Sequence, residues 1–91
     1  MRAPETVFMV WRWTYNDIHG SSTELLGIFW TFEGAEEACK AHHARWRSDL
    51  PWLPLEPHHR MDSEAPVGWS NEIIDGCGLS EGYDIEKRTV V

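Results

Sequence analysis

Val7-Phe8-Met9-Val10-Trp11-Arg12-Trp13-Thr14-Tyr15, followed by Glu24-Leu25-Leu26-Gly27-Ile28-Phe29-Trp30-Thr31, decides the fold class. In the first stretch Val7, Met9, Trp11, Trp13 and Tyr15 alternate with Phe8, Val10, Arg12 and Thr14. β-branched and aromatic residues in period two predict a strand, over about 6–15. The second stretch sets Leu26, Ile28 and Trp30 against Leu25, Gly27 and Phe29, and predicts a second strand over 24–31. Residues 16–22, Asn-Asp-Ile-His-Gly-Ser-Ser, bond their own backbone or tolerate positive φ, so they form the turn. Two strands this close in sequence pair antiparallel.

The next segment changes period. Thr31 offers a hydroxyl cap, Glu33, Glu36 and Glu37 open the segment, and Arg45 and Arg47 close it. That order suits a helix dipole and predicts a helix over about 32–49. Ala35, Ala38, Cys39, His42 and Trp46 recur at the spacing of one buried face, and Glu36 and Lys40 form an i, i+4 pair. Pro51 ends the helix because it lacks an N–H. Pro51, Pro54 and Pro57 recur every third residue, so residues 50–67 read as a Pro-rich loop with polyproline character. Glu72 to Asp75 is a candidate short strand, and Tyr83 to Val91 a final one. The expectation is one α+β domain over 1–91: a small antiparallel three- or four-stranded sheet with one amphipathic helix on one face. One sheet face is then left bare in a monomer, or paired in a homodimer.

The residues Val7-Phe8-Met9-Val10, Glu24-Leu25-Leu26-Gly27-Ile28-Phe29, Thr31 with Ala35-Glu36-Glu37-Ala38, and Gly82-Tyr83-Asp84-Ile85 carry a resemblance. The chain resembles an uncharacterised family of short bacterial and phage proteins: a strand, an ELLGVF-like strand, an ST-x-E-x-A-E-x-A helix and a closing GF-x-I strand. The resemblance spans about half the chain. It implies a fold and no activity, so no functional residue transfers. The Trp-rich first strand and the Pro-rich insert depart from that pattern.

Charge narrows the function classes. The net charge is −7, and residues 61–86 hold seven acids with no Lys or Arg. That balance argues against direct nucleic-acid binding, which depends on cations against phosphate. It suits a partner protein with a basic surface. The acids assigned to such a surface are Asp62, Glu64, Glu72, Asp75, Glu81 and Asp84. No run of roughly 18 apolar residues predicts a membrane span. With no apolar leader and only two cysteines, the expected setting is a reducing cytoplasm.

Three chemistries have candidate residues in the sequence. Cys77 between two glycines, near Asp75 and Ser80, has the setting of a nucleophile but no motif supplying a base or an oxyanion hole. Cys39 and His42, with His58 and His59, offer zinc donors without any standard spacing, and read better as packing residues. Six tryptophans exceed what so small a core needs, so Trp11, Trp13, Trp52 and Trp69, with Arg12, are candidates for an aromatic ligand surface. The functional expectation is a small acidic, non-enzymatic binding protein of phage type without a cofactor. It would inhibit a nucleic-acid-handling host protein by mimicry, its acids standing in for phosphates. The alternative is an aromatic cleft that holds or sequesters a small nucleotide.

Overall fold

The computed structural model describes residues 5–18, 20–59, 61, 66–74 and 79–90. The chain is α+β, with one helix packed on a six-stranded antiparallel sheet. In chain order the elements are β1 (Glu5–Asn16), β2 (Gly20–Phe29), α1 (Phe32–Trp46), β3 (Glu56–His59), β4 (Pro66–Ser70), β5 (Ile73–Ile74) and β6 (Leu79–Val90). The sheet runs β2-β1-β6-β4-β3, with β5 on β6. The spine is β1 against β6, in register from Glu5↔Val90 to Asn16↔Leu79. The opposite edge of β6 is shared by β4, at Gly68 to Ser70, and β5, at Ile73 and Ile74.

Asn71 bridges the break between β4 and β5. Its N–H donates to the Tyr83 carbonyl (3.2 Å), and its side-chain oxygen accepts from the Tyr83 N–H (2.9 Å). Its amide nitrogen donates to the Leu53 carbonyl (2.8 Å), tying the proline segment to the sheet. One buried side chain thereby satisfies backbone groups that the interrupted ladder would leave unpaired.

The helix starts as its sequence predicts: the Thr31 hydroxyl accepts from the Gly34 N–H at 3.0 Å. It ends at Trp46, with Arg47 as its cap, and not at residue 49. The buried residues are Ala35, Cys39 and His43. The expected stripe through His42 and Trp46 is therefore rotated; His42 is half-buried and Trp46 is 62% exposed. His43 is drawn inward because its Nε2–H donates to the Leu50 carbonyl (2.7 Å), which folds the chain back after the helix.

The core holds Val10, Ala35, Cys39, Tyr83 and Ile85, with Phe8, Leu26, Phe29, Phe32, Trp52, Leu55 and Trp69 packed around it. The helix thus covers the Phe8–Val10–Arg12 side of β1, not the side of Trp11, Trp13 and Tyr15. The strict alternation expected for β2 also fails. Val10 faces Gly27 while Trp11 faces Leu25, so Leu26 is the extra residue of a bulge. Both Leu26 and Phe29 then reach the core, and Leu25 and Ile28 are exposed. The proline segment also differs from expectation. Glu56–His59 is a short edge strand containing Pro57, and β4 begins at Pro66. Proline is tolerated there because an edge strand has N–H positions that need no ladder partner. β2 begins at Gly20 and β6 at Leu79, each earlier than predicted.

Ala35 is fully buried and Ala44 is exposed on the same helix. Ala35→Glu should therefore cost more than about 3 kcal/mol, since it buries an unpaired carboxylate. Ala44→Glu should stay within about 0.5 kcal/mol. Urea unfolding of the two variants checks this, and equal midpoints would mean the buried face is misassigned.

Candidate functional site

Residues opposed in an antiparallel ladder share a face, so the registers assign the side away from the helix. Trp11 opposes Asp84, Trp13 opposes Gly82, Ser70 opposes Asp84, and Glu56 opposes Ser70. His58 opposes Gly68, and Gly68 opposes Glu86. The open face therefore carries two indoles, three carboxylates and one imidazole in adjacent columns. His58 Nε2 and the Ser70 hydroxyl are hydrogen-bonded across β3 and β4.

Gly82 shapes this face. A β-carbon there would lie 2.7 Å from Cζ2 of Trp13 and would overlap the carbonyl oxygen of Asn71. The missing side chain lets the Trp13 indole lie over β6. Beyond it opens a groove of about 620 Å³ lined by Trp13, Leu53, Pro54, Glu56, Ser70, Asn71, Glu72 and Asp84. No Lys, Arg or His lines it among the described residues. A second groove of about 300 Å³ adjoins it and shares Asp84; Trp11, His58 and Glu86 border it.

Asp84 joins the two grooves. Burial pushes its carboxyl above the ordinary aspartate range, and His58 opposes that shift in part. Among the described residues it has no ion-pair partner. Glu86 is paired with Arg88 at 2.6 Å.

The remaining site candidates separate. Glu81 was expected on the acidic surface, but it is only 4% exposed. It lies under the helix, where its two oxygens meet Arg12 at 2.8 Å and Arg47 at 3.2 Å. Its charge is spent inside the fold. Arg12, expected on an aromatic ligand surface, is the partner that holds it. Trp52 and Trp69, also assigned to that surface, are partly buried and pack against the core, and Trp69 lines the second groove as well. Trp52 packs on His43 and Tyr83, and Trp69 stacks on Phe32 at 4.4 Å. Glu72 is exposed beside the groove. Asp62, Glu64 and Asp75, like Cys77 and His19, lie outside the described residues. Glu56 and Glu86 were missed, because only the strand registers bring them beside Asp84.

The helix side holds a cleft of about 520 Å³ lined by Arg12, Glu24, Leu26, His42, Trp46 and Arg47. Its cations already engage Glu81, and Arg47 also meets Asp49 at 3.3 Å. His42 Nδ1 shares a hydrogen bond of 2.7 Å with the Tyr83 hydroxyl. Burial, and Arg12 after it, hold His42 below its ordinary value. Burial, with Glu36 adding to it, pushes the Cys39 thiol up to about 12, so it stays protonated. A protonated thiol is a poor nucleophile. Among the described residues no group of three or more His, Cys, Asp or Glu stands close enough to hold an ion. No helix among them is long and apolar enough to cross a membrane.

Comparison with protein-family models, with curated proteins and with solved structures gives no match for the chain.

Two outcomes follow from this geometry. Gly82→Ala should cost about 1–3 kcal/mol, because two fixed neighbours occupy the new methyl's space. The same variant should move the Trp13 indole N–H resonance, and an unchanged spectrum would refute the close approach. Asp84→Asn should raise the melting temperature at neutral pH. With the folded carboxyl titrating above its unfolded value, wild-type stability falls as pH rises through that interval and is flat above it. The advantage of Asn should therefore grow from nothing at low pH to a plateau. A destabilised Asn variant at pH 7 would mean that Asp84 is held by a partner in the fold.

Proposed function

We propose that this chain is a small non-enzymatic binding protein that docks its open sheet face on the basic surface of another protein and blocks it. The observation that carries the reading is the groove beside Trp13, where Asp84, Glu56 and Glu72 gather and no described Lys, Arg or His joins the lining. Like charges gathered without counter-ions raise the local potential and attract a cationic surface. Aromatic side chains next to them supply the apolar contact area that anchors interfaces. The resemblance to short bacterial and phage proteins suits a protein of phage type, and the inhibitory role rests on the acidic groove alone. A nucleic-acid-handling host protein presents the kind of surface on which these carboxylates would replace phosphates.

The nucleotide alternative is weaker on the same grounds. Three carboxylates around the Trp13 groove repel a phosphate, and the arginines of the helix-side cleft are already engaged by Glu81 and Asp49.

The test uses a basic protein recovered from host lysate on the immobilised chain, and then measures its association rate. The variant Glu56→Gln/Glu72→Gln/Asp84→Asn should bind at least about tenfold more slowly, because steering acts on the association rate. The wild-type rate should fall steeply with salt, since screening shortens the Debye length to about 3 Å at 1 M. A rate indifferent to both changes would overturn the proposal. Direct, saturable binding of ATP that quenches Trp fluorescence would establish the nucleotide reading in its place.

A further inference from the structure

The open face holds more than diffuse negative charge. Trp11 and Trp13 stand two residues apart on one strand, and Asp84 is the cross-strand partner of Trp11. Asp84 also lines both grooves. A half-buried carboxylate is thus placed beside two partly exposed indoles on a surface where no described Lys or Arg meets it and His58 is the titratable neighbour whose charge it feels. Elsewhere such a carboxylate is compensated in this chain: Glu81 takes two arginines under the helix.

Indole faces attract cations, and the chain makes one such contact itself, with Arg45 Cζ 5.4 Å from the Trp46 ring centre. A planar guanidinium can stack on an indole while its N–H fork meets a carboxylate edge-on. An ammonium reaches the carboxylate as a point charge and gains less from the ring. Size agrees with a chain segment and not an isolated ion. The groove of about 620 Å³ has room for one side chain and its neighbouring backbone.

We infer that the groove is the receptor for an arginine side chain of the protein partner, its guanidinium stacked on Trp13 and paired with Asp84. This rests on the docking function proposed above and names its anchor. Glu56 and Glu72, exposed at the groove, attract the cation on approach. Asp84 and Trp13 hold it once water has left.

The full chain is titrated with a capped glycine–arginine–glycine peptide while the indole N–H resonances are followed. The lysine and citrulline counterparts serve as controls, citrulline keeping the shape and losing the charge. The Trp13 resonance should shift saturably with the arginine peptide, with at least about threefold weaker binding for lysine and no saturation for citrulline. Asp84→Asn should weaken the arginine peptide by at least about tenfold, as for loss of a charged hydrogen-bond partner. Binding to wild type should also fade as pH drops and Asp84 takes up its proton, whose pKa is raised by burial. Equal shifts with citrulline, or shifts confined to Trp30 and Trp46, would overturn the inference. If Trp13 stays unmoved while the triple charge variant still slows a basic partner, the arginine site fails and the docking face stands. If the partner's association ignores the charges as well, the docking face fails too.

Discussion

A fifteen-residue helix is about 22 Å long and covers part of one face of a sheet, and this sheet has six strands and two faces. The side the helix takes is set by small residues. Ala35 and Cys39 let it approach β1 and β6 at Val10, Tyr83 and Ile85, and the aromatic rings of Phe8, Phe32 and Trp69 fill the space beside it. Among the described residues the other side has no second layer of secondary structure. Trp11, Trp13, Leu25 and Ile28 are consequently left with water or with a partner. For a chain this short the arrangement is a clear division between a face packed under the helix and an open face, to which the proposed function assigns binding.

The two carboxylates of β6 show that division in electrostatic terms. Glu81 and Asp84 are three residues apart on a strand and therefore face opposite sides. Glu81 points under the helix and is met by two guanidinium groups, so its desolvation is offset by paired charges. Asp84 is half-buried on the open side without an ion-pair partner among the described residues, and its carboxyl is pushed up as a result. A group kept in an unfavourable electrostatic setting is a frequent mark of a functional surface. Gly82, between them, contributes by absence: it admits the Trp13 indole and the Asn71 carbonyl to space that any side chain would fill.

The sequence was legible where local rules act alone. The period-two run of β1, the Thr31 cap and the Glu36–Lys40 pair, which closes at 3.7 Å, all depend on neighbours a few residues away. It was misleading where long-range packing decides. Alternation in β1 separates Trp11 from Val10 but does not say which face meets the helix. The bulge at Leu26 is invisible to a period-two reading. The three-residue proline spacing reads as a polyproline loop, yet at the sheet edge β3 accommodates Pro57. Trp52 and Trp69 seemed to lack a core because β4 and its return across the sheet were not recognisable in so short a stretch. Of the groove, Trp13, Glu72 and Asp84 were named from sequence, while Glu56 required the β3–β4–β6 registers.

The account turns on which indoles the fold leaves bare. Dye-sensitised nuclear polarisation of the tryptophan side chains, resolved residue by residue, reads this directly in the free protein. Stronger polarised signals are expected from Trp11, Trp13, Trp30 and Trp46 than from Trp52 and Trp69, which pack against the buried core. Bright signals from Trp52 and Trp69 with Trp11 and Trp13 dark would place the helix on the other face of the sheet and contradict it.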